Sequence, residues 1–407
     1  MINYTAWPEM LAWPYLMIQG WFPYKDIAIA HNPLLIFDLV IFFKIFGVGL
    51  MQLKIYTWVL IFLNVYLTYF IGKKFWNVKT AYLSSFLYLI FCIVFEGNGL
   101  WFDLALTPFA LLLYLFLREK KYLWAGVTFA LGFLTKQTFI YFMIPVTYYM
   151  LRTTYYKKSI PNFIFGSGIV IAIFVMILSL LGILDDYYNC AIKFGIFYLP
   201  QADGQISLPN LKQFLFAVAP FIFLIWNLDI SICLFAVVGA MGVYPRWELF
   251  HFQPALPFLA IVMSTFYFKY KNRFVVFLSL LFVFCYILLG LYRQIGNNTR
   301  FYESDILKVV EEINKINPET LYVINYWDNI YALTNTKPPK PLIPYIPWYL
   351  DYQNNKDIIL NGLKSKTPEV IVIGERDMGF VDVYDFVDKF YTCNIVEKKV
   401  ELCRRNK

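Results

Sequence analysis

Residues 122–151 read YLWAGVTFALGFLTKQTFIYFMIPVTYYML. The stretch is apolar and long enough to cross a bilayer, which takes about 20 residues. Yet Lys136 stands at its centre, bracketed by Thr135, Gln137 and Thr138. Basic clusters bound it on both sides: Arg118, Lys120 and Lys121 before it, Arg152, Lys157 and Lys158 after it. Cytoplasmic loops collect Lys and Arg, so both clusters belong on the cytoplasmic side. A chain that leaves that side and returns to it makes an even number of passes. A single long span breaks the rule. Two half-helices, 122–134 and 138–150, satisfy it and place Lys136 near the outer face.

Working outward, further apolar runs cover 51–72, 80–97, 100–117, 160–183, 211–228, 230–244, 252–269 and 273–292. Two more basic clusters, Lys73/Lys74/Lys79 and Lys269/Lys271/Arg273, fall on the cytoplasmic side by the same rule. The four clusters hold 12 of the 21 Lys and Arg of residues 1–300, against one acid, Glu119. The remaining parity puts residues 1–33, 184–210, 245–251 and everything after 300 outside. It also puts Met1 outside with no signal peptide before it, which predicts a further span upstream of the sequence given. Residues 34–47 carry Asp38 and Lys44 and, at about 1.5 Å per residue, are too short to span. They read as an amphipathic helix in the outer interface, with Trp7, Trp13, Trp21 and Tyr24 as interfacial anchors.

Composition agrees. Of 407 residues, 60% are hydrophobic, 21% aromatic and only 15% charged, against roughly 25% charged in globular chains. Disordered, collagen-like and small disulfide-stapled classes are excluded. The net charge of +8 does not indicate a nucleic-acid binder, because residues 1–300 carry +10 in topology-setting clusters and residues 301–407 carry −2. The expected fold is an all-α polytopic membrane domain over 1–300, with residues 1–50 an external loop bearing interfacial helices. It has about eight full spans plus two half-helices. A small external α/β domain follows over 301–407.

In that tail a helix fits 303–316, where Ile306, Val309, Val310 and Ile313 recur on one face and Ser304 can cap. Leu321–Asn325 reads as a strand, the proline-rich 335–349 as a loop, 354–364 as a helix, Glu369–Ile373 as a strand and 382–389 as a helix. A hairpin over 391–404 turns near Lys398 and places Cys393 and Cys403 where they can pair outside the cytosol. Cys92, Cys190, Cys233 and Cys285 read as packing residues. No metal-ligand cysteine spacing occurs, and two histidines exclude a His-rich metal site. No phosphate loop or nucleophilic triad stands in the tail, which reads as structural or acceptor-facing.

Charges inside or bordering spans are expensive and are functional candidates by default. On the outer side they are Glu9, Lys25, Asp26, Glu96, Asp103, Lys136, Arg246, Glu248 and His251. They come from distant segments, and parity gathers them at one face. Glu9 or Asp26, shielded at an interface, can take a proton from a hydroxyl; as structural residues they would cap a helix and pair with Lys25. Asp103, in the first turn of a span, suits the helix dipole and equally an acceptor or a metal. Lys136 with Gln137 offers a lipid phosphate a polar pocket. Arg246, Glu248 and His251 read either as an interfacial ion pair with a loop histidine or as part of the site.

These elements resemble the GT-C superfamily of integral-membrane glycosyltransferases, within it the protein O-mannosyltransferase and lipid A aminoarabinose transferase group, glycosyltransferase family 39-like. The likeness rests on Glu9, the helix ending in Gly20, Pro23-Tyr24-Lys25-Asp26, His31-Asn32-Pro33-Leu34, Phe46-Gly47, the FLTKQT element, and Arg246 with His251, Pro254 and Pro257. It covers essentially residues 1–300, without the family's first span, and the acid Glu9 stands closer to its helix-ending Gly20 than is usual there. The resemblance implies a hexosyl- or pentosyltransferase in the plasma membrane. Its donor is a polyprenyl-phosphate sugar, and its acceptor is a hydroxyl of a glycan, lipid or protein at the outer face, reached by a single inverting displacement. In it Glu9, Asp26 and Asp103 are the catalytic carboxylates, and Lys136, Gln137 and Arg246 hold the donor phosphate. His31, Glu248 and His251 stand on the acceptor side or support the others. The resemblance leaves a divalent metal open and implies no other cofactor. The competing class is a transporter or flippase of lipid-linked sugars, which would place polar groups deep in several spans.

Overall fold

A computed structural model describes residues 5–152, 156–226, 229–270, 272–294 and 303–406. Lys271 and the boundary at 300/301 lie outside them, as does the side chain of Ser304. After a two-residue strand β1 (Thr5–Ala6), α1 (Glu9–Ile18) ends at Gly20, whose φ of 86° favours glycine. The helix expected over 34–47 follows as α2 (Leu34–Phe46), closed by Gly47 at φ 87°. It buries Leu35, Ile36, Leu39 and Phe43 and exposes Ile41, Ile45 and Phe46.

Every apolar run forms helix. These are α3 (Leu50–Phe75), α4 (Val78–Val94), α5 (Phe102–Arg118, after the short strand β2, Gly99–Leu100), α6 (Tyr122–Thr135) and α7 (Met143–Arg152). Then come α8 (Tyr156–Leu180), α9 (Leu184–Tyr187), α10 (Leu211–Val218), α11 (Ile230–Ala240), α12 (Leu256–Lys269) and α13 (Arg273–Gln294). The break expected at Lys136 is present: its backbone is extended (φ −154°, ψ 138°) between α6 and a 3-10 turn, Gln137–Phe142. Among the described residues three helices are individually long and apolar enough to cross a membrane, Leu50–Phe75, Lys158–Leu180 and Arg273–Arg293. The eight full spans expected are therefore not eight long helices. The other apolar runs are shorter or interrupted; residues 211–226 begin as α10 and tighten into a 3-10 turn at Ala219.

Apolar side chains gain little by leaving lipid for one another, so close backbone approach at small residues carries much of the packing. Helices α6 and α8 cross in this way. A methyl on Gly126 would stand 2.1 Å from the Phe163 carbonyl oxygen, and one on Gly166 would stand 2.2 Å from that of Leu123. Ser167 Oγ donates across the crossing to the Gly126 carbonyl at 3.0 Å.

The tail is the expected small α/β unit. It comprises α14 (Glu303–Ile316), β3 (Leu321–Ile324), α15 (Ile330–Thr334), α16 (Pro347–Leu350), α17 (Asn355–Ser365), β4 (Val370–Ile373), α18 (Val381–Phe390), β5 (Tyr391–Glu397) and β6 (Val400–Arg405). The sheet order is β3-β4-β6-β5, with β3 and β4 parallel and the rest antiparallel. Lys398 sits at positive φ in the hairpin turn, and Cys393 and Cys403 face each other across it in a disulfide. Of the other cysteines Cys92 is buried, whereas Cys285 is exposed on α13.

One expectation is corrected. Trp13, Trp21 and Tyr24 are 2%, 6% and 4% exposed, so they are core residues and not interfacial anchors. The tail packs on the same segment. Helix α1 packs on α2 and on α15, and Tyr15 donates from its hydroxyl to Asn335 Oδ1 (3.1 Å) and the Thr336 carbonyl (3.2 Å). The 335–349 loop runs along the loop between α1 and α2: Ala28 N–H donates to the Leu342 carbonyl (2.9 Å) and Leu342 N–H to that of Asp26 (2.8 Å). Lys340 lies over the Trp21 ring at 4.9 Å.

Candidate functional site

The helix break at Lys136 frees that side chain from a helix face and turns it into the bundle. Asp103 enters from the first turn of α5, and His251 from a 3-10 turn (Leu249–Phe252) just before α12. Lys136 Nζ lies 2.6 Å from Asp103 Oδ2, His251 Nδ1 lies 2.8 Å from the same oxygen, and Nζ and Nδ1 are 3.3 Å apart. All three residues are buried, Asp103 most deeply at 1% exposure. Burial, and then the Lys136 charge, hold the His251 imidazole below its ordinary pKa. The ring is accordingly neutral; Nδ1–H donates to Asp103 and leaves the Nε2 lone pair available.

The loop between α1 and α2 closes on this cluster. Gln137 Nε2 donates to the carbonyls of Ala30 (2.8 Å) and Ala191 (3.2 Å), and Tyr187 donates to Asn32 Oδ1 at 2.8 Å. The His31 ring packs on Phe102 with centroids 4.5 Å apart and edge-on to Trp101 at 5.6 Å. Enclosure first, then the Lys136 charge, push the His31 imidazole down to about 3.

Glu9 opens α1, two residues after Trp7. Trp7 packs on Trp101 (4.7 Å) and on Phe250 (5.6 Å), the neighbours in sequence of Phe102 and His251. The Glu9 carboxyl is buried, and its Oε2 has no hydrogen-bond partner among the described residues. Burial lifts it to about 7, against a backbone hydrogen bond and the Arg246 charge, which both pull it down. Arg246 is 3.4 Å from Glu248 Oε1 and lies over the tail's Trp348 ring at 5.3 Å.

Asp26 stands elsewhere. Its Oδ2 accepts from Phe22 N–H (2.9 Å) and from Lys340 (2.7 Å), which fastens the loop to the tail. Of the predicted set, then, the structure brings together Asp103, Lys136 and His251, with His31 and Gln137 on their rim. Glu9, Arg246 and Glu248 form a neighbouring group.

Sequence reasoning missed Asp328, whose carboxyl is lifted to about 8 by burial first and then by Glu9's charge. Its signal was an acid among aromatics in Asn325-Tyr326-Trp327-Asp328, within a tail read as structural or acceptor-facing. A divalent metal does not fit at Asp103, because the Lys136 ammonium already sits at its carboxylate. In the tail, Cys393, Glu401 and Cys403 converge, but the disulfide consumes both thiols.

Residues 30–181 match the family model of dolichyl-phosphate-mannose-protein mannosyltransferase. No curated protein sequence matches the chain. Among solved structures, ArnT from Cupriavidus metallidurans in the apo state superposes with a TM-score of 0.64 at 9% identity, over 99% of this chain and 94% of that one. The same protein bound to undecaprenyl phosphate gives 0.61 at 10% identity, over the same shares. The chain shares its fold with ArnT.

Proposed function

We propose that the chain is a membrane glycosyltransferase that moves a sugar from a polyprenyl-phosphate donor to an acceptor hydroxyl at the outer face by one inverting displacement. The observation that carries this reading is the buried Asp103–Lys136–His251 cluster at a helix break, roofed by the first external loop. A neutral-pair environment of this kind is costly in a bundle and is retained where chemistry needs it. The match of residues 30–181 to a family of lipid-phosphate-dependent mannosyltransferases supports the donor class, as does undecaprenyl phosphate bound in a protein of the same fold.

In this reading the acceptor oxygen attacks the anomeric carbon while the bond from that carbon to the phosphate oxygen breaks, and the electron pair leaves with the polyprenyl phosphate. Glu9 takes the acceptor proton. A base works best with a pKa near the operating pH, and at about 7 Glu9 meets that condition. An ionised Asp103 bound to an ammonium and an imidazole is a weaker base and a better holder. An ammonium has three donors. One of Lys136's goes to Asp103, and another serves the departing phosphate, with Arg246 as the second cation. Asp26 acts through the loop it fastens. The domain limits, 1–300 and 301–407, and the external placement of the tail in the plasma membrane belong to the same proposal.

The test is incubation of membranes containing the chain with labelled polyprenyl-phosphate hexoses and pentoses, with label followed into lipid, glycan and protein. Transfer from one donor class is expected. No transfer together with donor-dependent flux across liposomes would establish a transporter instead.

A further inference from the structure

Asp103 spends both hydrogen bonds of the buried cluster on one oxygen, Oδ2, while Oδ1 has no partner among the described residues, nor has Thr138 Oγ1. The two unpartnered oxygens surround one place. Gly242 lies in a short 3-10 turn (Met241–Val243) between α11 and Arg246. A methyl added to it would stand 3.7 Å from Asp103 Oδ1, 3.8 Å from Thr138 Oγ1 and 3.9 Å from the His251 carbonyl oxygen, its three nearest neighbours beyond its own turn. The absence of a side chain thus keeps open a small space walled by three oxygens, one of them on a carboxylate that is 1% exposed.

We propose that this space is a subsite for one hydroxyl of the donor sugar, which donates to Asp103 Oδ1 and accepts from the Thr138 hydroxyl. The proposal rests on the lipid-linked sugar reading above. The chemistry of the wall selects the occupant. An anion such as phosphate would face the carboxylate. An ammonium would stand close to Lys136, which already neutralises that carboxylate from 2.6 Å. An apolar group would leave two buried polar atoms unsatisfied. A hydroxyl both donates and accepts. A site built to hydrogen-bond a hydroxyl rejects the analogue that lacks it far more strongly than an apolar pocket rejects a methylene. Gly242 and Thr138 thereby join Asp103 in setting which sugar is accepted.

The deciding substitution is Gly242→Ala. Gly242 is not among the glycines at positive φ, and the new methyl meets its neighbours at ordinary van der Waals distance, so the fold keeps it. It crowds a hydroxyl seated between those oxygens. Thr138→Val keeps the shape and removes the donor. Binding of undecaprenyl-phosphate-linked hexoses and pentoses, intact and with each hydroxyl singly removed, is measured on the full chain in nanodiscs alongside its unfolding temperature. Both variants are expected to bind the preferred donor at least tenfold more weakly with unchanged unfolding temperature. One deoxy donor should lose a similar factor on the native chain and nothing further on Gly242→Ala. Native-like binding by Gly242→Ala, or losses that multiply for every deoxy donor, would overturn the subsite and leave the functional reading standing. Tighter native binding of an amino-substituted donor would overturn the hydroxyl assignment. Failure of the native chain to bind any of these lipids would overturn both.

Discussion

The Lys136 ammonium and the Asp103 carboxylate, 33 residues apart in sequence, meet at 2.6 Å with side chains 6% and 1% exposed. Removing one partner of a buried pair leaves the other charge uncompensated, which typically costs about 3–5 kcal/mol. Lys136→Met should therefore unfold at a markedly lower temperature in detergent. The double variant Lys136→Met with Asp103→Asn should recover most of that stability while transfer stays lost. Calorimetry of the three proteins beside a transfer assay separates the two roles. Equal stability of the single and double variants would show that the pair is not coupled.

Glu9 gives a pH dependence with a definite sign. Its carboxyl stands at about 7 in the folded chain against an ordinary value of 4.5. The folded state then binds more protons than the unfolded one between these values, so stability falls as pH rises from about 4.5 to about 7 and stays lowered above. The displacement corresponds to roughly 3 kcal/mol at most. Glu9→Gln should consequently raise the unfolding temperature at pH 8 and leave it unchanged at pH 4. Transfer by the native chain should rise with pH through about 7, and the variant should have lost nearly all of it, since a general base typically contributes about 10²–10⁴-fold. A stabilised variant with native turnover would remove Glu9 from the base role.

The helices and the break at Lys136 were legible because a bilayer demands apolar runs and charge parity fixes where they turn. The meeting of Asp103, Lys136 and His251 was legible only as a shared face; the pairing itself depends on a non-helical backbone at Lys136, which sequence suggests and geometry decides. Trp13 and Trp21 were misread because tryptophan near an interface serves either as an anchor or as core; for Trp21 the cover comes from Lys340, over 300 residues away. Asp328 carries only a weak local signal, an acid among aromatics, and Gly242 carries none. The first matters through Glu9, the second through the oxygens around an atom it lacks.

The tail's hold on the first external loop should reside in backbone pairing more than in charge. Lys340 is 43% exposed at its ion pair with Asp26, and pairs of that kind contribute about 0–1 kcal/mol. Leu342 is 1% exposed, and its N–H donates to the Asp26 carbonyl. Lys340→Ala should leave the 335–349 loop as protease-resistant as before. Leu342→Pro deletes the donor and should open that loop to limited proteolysis. Cleavage of the first variant at the same rate as the second would reverse this ranking.

Cys393 and Cys403 close a short loop on the edge of the tail's sheet, with a sequence separation of 10. A crosslink over so few residues stabilises chiefly by restricting the unfolded hairpin, by roughly 2–3 kcal/mol in the chain-entropy account. The membrane helices share no part of that loop. Reduction by dithiothreitol, or replacement of both cysteines by serine, should accordingly speed hydrogen exchange in residues 391–405 and in the β4 strand they pair with, while exchange across 50–118 is unchanged. An equal change in both regions would mean that the tail and the membrane helices unfold as one unit.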